Sequence, residues 1–332
     1  MVGTDKTVSN RLGGTAEDMP IGIIVGLGSG LVSALLFYSA ARGGPLLRPF
    51  LLFLIPLPSL VAGFGWGWLA AVAAAVAGAV GVGAIVGATT AAGYLLALGL
   101  PVALAAYLAY LSRSGSADPE AREWYPAGRL LAGMALYAGA LPLMLLPLIG
   151  GSYETLRPLM SEVLQQFAKR WLPPGATLSE QAVADQTEWA LFLLPAGFAA
   201  QWLVLCAFNL YLAGRVVRAS GLLGRDWPDL TAISYPPALS VLLGLALLSA
   251  AAGGLIGTVG VSFTGALVAA YLLGGLALTH FIGRRRAPWL VWVVYLGLFF
   301  VWPFFMPLVV LAGLLESTFQ LKQRFGFSPP ST

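Results

Sequence analysis

Residues 49–112 read PFLLFLIPLPSLVAGFGWGWLAAVAAAVAGAVGVGAIVGATTAAGYLLALGLPVALAAYLAYLS and contain no charged side chain. At about 1.5 Å per residue, this stretch would form roughly 96 Å of helix, about three times the hydrocarbon thickness of a bilayer. The chain must therefore fold back twice within it. Because glycine lowers the cost of leaving a helix, we expect these breaks at 63–67 (GFGWG) and 83–88 (GAIVGA).

The composition of the whole chain excludes an ordinary water-soluble domain. Of its 332 residues, 58% are apolar and 10% are charged, whereas soluble domains carry about 25% charged residues. Apolar runs predict helices at roughly 20–41, 45–63, 66–86, 88–111, 127–150, 188–214, 234–257 and 260–282, followed by an apolar region at 288–315. The predicted fold is an all-α polytopic transmembrane helical bundle of about eight to ten spans.

The predicted organisation is one helical domain with a short tail at each end. Residues 1–19 form a cytoplasmic N-terminal tail, residues 20–320 form a single transmembrane domain, and residues 321–332 form the C-terminal tail. The first apolar run, which begins at Ile21, is about 20 residues long. A cleaved signal peptide has an apolar core of about 7–15 residues, so we interpret this run as a retained span.

Basic residues in the short loops predict the orientation, because such residues are retained on the cytoplasmic side. They fall in alternate loops: Arg113 and Arg122, then Arg215, Arg218 and Arg225, then Arg284, Arg285 and Arg286. The prediction is a multi-pass membrane protein with a cytoplasmic N-terminus and an extracytoplasmic loop at 151–187. Arg42 and Arg48 would then lie outside, as exceptions to the pattern.

The stretch THFIGRRRAPWL at 279–290 holds the only histidine, His280, beside the arginine triplet 284–286. We interpret the triplet as the end of a span and an anchor in the lipid headgroups. The apolar region after it is too long for one perpendicular crossing and short for two. One kinked span and a tight hairpin turning near Pro303 both fit, and the hairpin is favoured because it returns Lys322 to the side of the other basic loops.

The loop at 151–187 contains an amphipathic segment. Its apolar residues recur at three- and four-residue steps, as one helix face requires: Leu156, Leu159, Met160, Val163, Phe167 and Trp171. Ser152 can cap its start, Lys169 and Arg170 suit its last turn, and Pro173-Pro174-Gly175 ends it. We expect a helix lying in the outer interface, which serves as a brace or, alternatively, as a gate or a partner surface.

Glycine and amide residues are the remaining candidates for packing and binding. Pairs with GxxxG spacing predict close helix contacts: Gly26 and Gly30, Gly83 and Gly87, and Gly253 and Gly257. Gln201 and Asn209 lie about 80° apart around one predicted helix, so both can face the bundle interior. They either form interhelical hydrogen bonds or line a ligand cavity.

Features of several chemical functions are missing from the sequence. No charged residue lies deep in a predicted span, as the proton or ion relay of a coupled pump requires. The single cysteine, Cys206, excludes an intramolecular disulfide and a cysteine-based metal cluster. Asp226 and Asp229 lie in a loop that we expect to be a solvated turn. We therefore predict no catalytic residue, metal site or cofactor, and the scattered basic residues do not indicate nucleic-acid binding.

The end of the chain resembles the YybS-like family of bacterial multi-spanning membrane proteins, a domain of unknown function. LLGGLALTHFIGRRR at 272–286 and VLAGLLESTFQLKQRFG at 310–326 carry the resemblance, the second through Gly313, Leu314, Leu315, Glu316, Phe319, Lys322 and Arg324. EWYPAGRLLAG at 123–133 and FNLYLAGRV at 208–216 are similar to the alpha-proteobacterial version. The resemblance implies an inner-membrane location and supplies no established activity.

These features favour a transport-type or substrate-binding membrane subunit, and the helices also resemble the membrane-embedded substrate-binding subunits of energy-coupling-factor vitamin transporters. The alternative is a non-catalytic assembly or scaffold protein. The expected partners are the lipid bilayer, a small-molecule ligand, and a membrane or cytoplasmic protein. The first function predicts a polar-lined cavity near Gln201 or Asn209, whereas the second predicts exposed aromatic or small-residue faces.

Overall fold

The computed structural model describes residues 18–114, 122–171 and 179–324. The described helices are, in chain order, α1 Asp18–Arg42, α2 Leu47–Leu54, α3 Leu57–Trp66, α4 Trp68–Val86, α5 Ala88–Tyr94, α6 Leu100–Ala109, α7 Ala127–Leu145, α8 Arg157–Trp171, α9 Glu180–Ala219, α10 Ala238–Ala250, α11 Gly254–Arg285, α12 Pro288–Phe300, α13 Trp302–Phe319 and α14 Leu321–Arg324. Strands β1 Ser112–Ser114 and β2 Arg122–Trp124 pair as an antiparallel hairpin. In the described ranges, eight helical segments are long and apolar enough to cross a bilayer. The all-α polytopic bundle is therefore confirmed.

The chain divides into two compact units. The first contains residues 1–134 and 204–233, and the second contains residues 135–203 and 234–332. Helices α7 and α9 contribute residues to both units. The assignment of 20–320 to a single domain stays a prediction, and most of the tail at 1–19 lies outside the described residues.

In the first unit, the charge-free stretch folds back twice, as predicted. It forms the apolar segments Leu47–Trp66, Trp68–Val86 and Ala88–Ala109. Gly67 and Gly87 separate them, with φ angles of 93° and 115°. A side chain at either position would be strained, because L-residues rarely adopt positive φ.

Two glycines of the first unit let helices α1 and α4 approach closely. A Cβ atom on Gly26 would overlap the carbonyl oxygen of Ala70, and one on Gly30 would overlap that of Ala74. In lipid, such close backbone contact replaces the hydrophobic effect as a source of attraction between helices. The structure thus places the Gly26/Gly30 pair at a helix contact.

In the second unit, the last apolar region folds as two helices that turn at Val301. Helix α12 ends at Phe300 and α13 begins at Trp302. A Cβ atom on Gly297 would overlap the ring of Phe305, so the residues on the two sides of the turn are in contact. A single continuous helix would separate these two residues by about 12 Å.

The end of α13 returns to the arginine triplet. The Nζ atom of Lys322 lies 5.5 Å from the centroid of the Phe281 ring, and the Cζ atom of Arg285 lies 4.4 Å from the same centroid. The tail and the end of α11 therefore meet at one end of the second unit. This is the hairpin arrangement that the sequence favoured.

We expect Gly30→Ala to destabilise the protein by about 1–3 kcal/mol, because the added methyl group would force the α1 and α4 backbones apart. Gly28→Ala is the matched control, since a Cβ atom at Gly28 meets nothing within 4 Å and lies only two residues away. Thermal unfolding of the two variants in the same detergent measures the difference. Equal melting temperatures would show that the α1–α4 contact is looser than the structure indicates.

Candidate functional site

The candidate site is a cavity in the second unit, where the chain leaves α7 and where it enters α11. Its volume is about 380 Å³, at the small end of the roughly 300–1,000 Å³ typical of small-molecule sites. The described lining residues are Leu146, Gly151, Ser152, Tyr153, Phe192, Gly253, Gly254, Leu255, Gly257 and Thr258. Backbone, hydroxyl and apolar groups thus share the wall.

One wall of the cavity is the turn that follows α7. Gly150 and Gly151 have φ angles of 93° and 83°, so two successive left-handed residues reverse the chain there. The Oγ atom of Ser152 then accepts a hydrogen bond of 3.2 Å from the backbone N–H of Glu154. This cap begins the 3₁₀ turn Tyr153–Leu156, which leads into α8.

The opposite wall is the start of α11. Gly253 and Gly254 have φ angles of 70° and 54°, and no side chain caps the helix at Gly253. The first N–H groups of a helix have no intrahelical partner. Because Gly254 and Leu255 line the cavity, these donors and the positive end of the helix dipole lie at its wall.

Tyr153 lines the cavity, and its hydroxyl is covered by the protein. Its oxygen is inaccessible to solvent and has no hydrogen-bond partner among the described residues. Burial raises the pKa of Tyr153 to about 12, so the hydroxyl keeps its proton at neutral pH. An unsatisfied buried hydroxyl costs about 1–3 kcal/mol, which a ligand accepting its hydrogen bond would recover.

An ion-pair cluster connects the start of α8 to α9 beside this wall. Arg157 contacts Glu154 at 2.6 Å and Glu188 at 2.7 Å, measured between nitrogen and carboxylate oxygen. The hydrogen bonds that Arg157 donates to Glu188 and Glu154 raise the pKa of Arg157 above its usual value. The arginine therefore stays charged and tethers the 3₁₀ turn that carries Tyr153.

Helix α8 has an exposed apolar face. Leu159, Val163 and Phe167 are 58%, 51% and 60% exposed. Such a face suits the acyl boundary of a membrane. Lys169 and Arg170 occupy the last turn as predicted, whereas the predicted end at 173–175 lies outside the described residues.

We expect Arg157→Gln to release α8, because the two carboxylates would lose their common cation. Hydrogen–deuterium exchange at 153–171 should rise about two- to fivefold, the modest size expected for exposed ion pairs. Arg170→Gln, an exposed arginine in the last turn of the same helix, is the control. Unchanged exchange in Arg157→Gln would mean that apolar packing alone holds α8.

Of the two predicted amides, the structure places only Asn209 in the interior. Asn209 is fully buried and donates to the carbonyl oxygens of Phe53 at 2.7 Å and Leu205 at 2.9 Å. Phe53 lies in the last turn of α2, which stops before Pro56 and leaves its carbonyls without helical partners. Gln201 is exposed, and neither amide is among the described residues that line the cavity.

Asn209→Leu should therefore destabilise the protein by about 1–3 kcal/mol, since the Phe53 carbonyl would stay buried without this donor. Gln201→Leu, on the same helix, should change stability by less than about 0.5 kcal/mol. Unfolding in detergent measures both variants. If Asn209→Leu were as stable as the wild type, the Asn209 amide would not be needed to satisfy the Phe53 carbonyl at the end of α2.

The other predicted glycines have two different roles. A Cβ atom on Gly83 would lie 3.2 Å from the Ala91 Cβ, and one on Gly257 would lie 3.4 Å from the Ala250 carbonyl oxygen. Gly87 and Gly253 have positive φ angles and meet nothing within 4 Å. These two residues serve turns rather than the helix contacts that their GxxxG spacing predicted.

Arg284, Arg285 and Arg286 are exposed at the end of α11. This position fits the headgroup anchor that the sequence predicts. The guanidinium of Arg285 stacks on Phe281, one turn earlier in the helix. Because α11 has 32 residues, the arginines lie about 48 Å along the helix from the cavity.

The loop after α9 is packed, which corrects the expectation of a solvated turn. Arg225 is half-buried, its Nη1 atom donates to the carbonyl oxygen of Ala109 at 2.6 Å, and its Cζ atom lies 5.5 Å from the Trp124 ring centroid. Burial lowers the pKa of Arg225. Asp226 and Asp229 are exposed, as expected. No sequence pattern distinguishes the half-buried Arg225 from the other arginines in the loops.

Sequence reasoning also missed a buried ion pair at the end of α13. Glu316 and Lys322 are 3% and 6% exposed. The carboxylate accepts a hydrogen bond of 3.0 Å from the backbone N–H of Lys322 and lies 3.8 Å from its Nζ atom. Gln320, at a φ of 50°, turns the chain between them. Both residues belong to the tail that carries the family resemblance, but sequence alone did not indicate their contact.

In the part of the chain that the structure describes, no three His, Cys, Asp or Glu side chains group as metal ligands would. Cys206 is buried as a free thiol. The Nδ1 atom of His280 donates a hydrogen bond of 2.9 Å to the Leu276 carbonyl oxygen in its own helix. The arrangement in the cavity is thus suited to binding through hydrogen bonds and apolar contact.

Comparison with known proteins gives one family. Residues 31–317 match the family described as predicted membrane protein (DUF2232). No curated protein and no solved structure matches the chain. Because the match covers most of the chain, and because the fold has the expected membrane-spanning helices, this protein belongs to the DUF2232 family of predicted membrane proteins.

Proposed function

We propose that the protein is a substrate-binding or transport-type membrane subunit without ion-coupling carboxylates. The cavity of about 380 Å³ in the second unit carries this proposal, because its described lining combines the first residues of α11, which no side chain caps, with hydroxyl and apolar side chains. The protein would be a YybS-like member of alpha-proteobacterial type, located in the bacterial inner membrane with its N-terminus in the cytoplasm.

The chemistry of the described lining supports binding without catalysis. Tyr153 is the one ionisable side chain among the described lining residues, and its pKa of about 12 is far from neutral. A general acid or base works best with a pKa near the operating pH. The lining therefore supports a binding protein rather than an enzyme.

The position of the cavity supports access from outside the cell. Helix α11 begins at the cavity and ends at the arginine triplet, so the two features lie at opposite ends of one span. Basic residues are retained on the cytoplasmic side. The cavity would then open on the extracytoplasmic side, where a substrate-binding subunit captures its ligand.

A second candidate function, a non-catalytic scaffold, is favoured by the aromatic surface of the α12–α13 hairpin. The exposed fractions of these side chains are between 60% and 77%, for Trp289, Trp292, Phe299, Phe300, Trp302 and Phe304. Large exposed apolar patches mark contacts with lipid or with another protein. A partner that covers this surface would need no ligand in the cavity.

Native mass spectrometry of the detergent-purified protein distinguishes the two functions. We expect a bound small molecule on the wild type and its loss in Thr258→Trp, because the indole would occupy the cavity. Phe192→Ala is a second variant that weakens apolar contact without adding bulk. Val241→Trp, at a position that is 65% exposed on α10 and outside the described lining, should retain the molecule.

Two results would contradict the binding proposal. One is a wild-type protein that carries no small molecule and only a protein partner, which would favour the scaffold. The other is a small molecule that stays bound equally in Thr258→Trp and Phe192→Ala. Melting temperatures of all variants show whether a loss of ligand reflects a loss of fold.

A further inference from the structure

We infer that the cavity selects an uncharged molecule with an apolar body and a polar end that accepts hydrogen bonds. This inference rests on the proposed binding function and names the chemical class of its ligand. It follows from the charges around the cavity, from the donors in its wall and from its three apolar side chains.

An anionic ligand would lack a counter-charge. The described lining contains no Lys, Arg or His, and the segment 172–178, which is outside the described residues, contains none in its sequence LPPGATL. Arg157 lies one helical turn after the lining residue Tyr153 in the sequence. Its guanidinium already contacts the carboxylates of Glu154 and Glu188. A charge moved from water into such a cavity is costly unless it is paired.

The helix dipole of α11 is too weak to replace that counter-charge. The start of a helix is equivalent to about half an elementary charge. The ion-pair cluster beside the cavity contains two carboxylates and one guanidinium, so it has a net negative charge. The helix start attracts an anion, whereas the net negative charge of the cluster repels it.

A cationic ligand is disfavoured by the same end of α11. The first N–H groups of α11, which have no partner within the helix, belong to the lining residues Gly254 and Leu255, and no described lining residue is a carboxylate. A cation would meet these donors, whereas the nearby carboxylates of Glu154 and Glu188 already contact Arg157 and are not among the described lining residues. A neutral carbonyl or amide oxygen can accept from these N–H groups without such a penalty.

The apolar part of the ligand has three side chains to contact. Leu146, Phe192 and Leu255 come from three separate segments and line the cavity together. Burial of apolar surface against them would supply most of the affinity. An aromatic or short aliphatic body with a single amide group fits this combination.

The Tyr153 hydroxyl gives the ligand a further donor after a small movement. The hydroxyl is covered in this structure, and the adjacent turn contains Gly150 and Gly151, both at positive φ. A shift of this turn would bring the hydroxyl to a ligand oxygen. The loss of one such hydrogen bond, about 1.4 kcal/mol, corresponds to tenfold weaker binding.

Three probes that share an indole ring test the inference on the full chain in detergent: indole-3-acetamide, indole-3-acetate and tryptamine. Saturation-transfer NMR measures their affinities. We expect the neutral amide to bind at least about tenfold more tightly than either charged probe. Tyr153→Phe should weaken binding of the amide about tenfold.

Tyr235→Phe is the matched control for the hydroxyl. Tyr235 also has a buried hydroxyl with no partner among the described residues, but it is not among the described lining residues. Its removal should leave affinity for the amide unchanged. Equal weakening in both tyrosine variants would overturn the assignment of the Tyr153 hydroxyl to the ligand.

The outcomes separate this inference from the proposed function. Charged probes that bind as tightly as the amide would overturn the inference and leave a binding protein. If no probe binds, the charge of the small molecule that co-purifies with the wild type decides: a neutral molecule supports the inference and an ionic one overturns it. If no probe binds and no molecule co-purifies, the proposed function itself is wrong.

Discussion

Unpaired backbone carbonyls at helix ends are the constraint on which the first unit depends. Hydrocarbon offers no water to satisfy them, so each broken helix needs a donor from elsewhere in the chain. Asn209 donates to Phe53 at the end of α2, and Tyr110 donates to Phe64 near the end of α3. Arg225 donates to Ala109, the last residue of α6. Three polar side chains thus close three helix ends and connect segments that are distant in sequence.

The sequence predicted the features that composition and periodicity control. The charge-free stretch predicted the segments between residues 47 and 109, and glycine predicted the breaks at Gly67 and Gly87. The balance of basic residues favoured the α12–α13 hairpin, which the structure contains. Each of these features depends on neighbours within about 20 residues, the range over which local pattern and span length act.

The features that the sequence did not predict depend on contacts between distant residues. In the second unit, a Cβ atom on Gly275 would overlap the carbonyl oxygen of Val309, and one on Gly313 would overlap that of Tyr271. Neither glycine was predicted as a helix contact, because neither has a second glycine four residues away in the sequence. The cavity likewise combines a turn after α7 with a turn before α11, about 100 residues apart, which no linear pattern connects. Asn209 was found because a buried amide is conspicuous in an apolar run, whereas Arg225 resembles every other loop arginine.

The length of α9 determines the medium in which the cavity lies. Its 40 residues extend about 60 Å, roughly twice the hydrocarbon thickness. A tilt compensates for only part of this excess, and the first turns of α9, with Glu180, Asp185 and Glu188, form a polar end of the helix. Phe192, which lines the cavity, follows Glu188 by one turn. A ligand would reach the cavity from the aqueous phase, and the partition coefficient between water and lipid would not limit its capture.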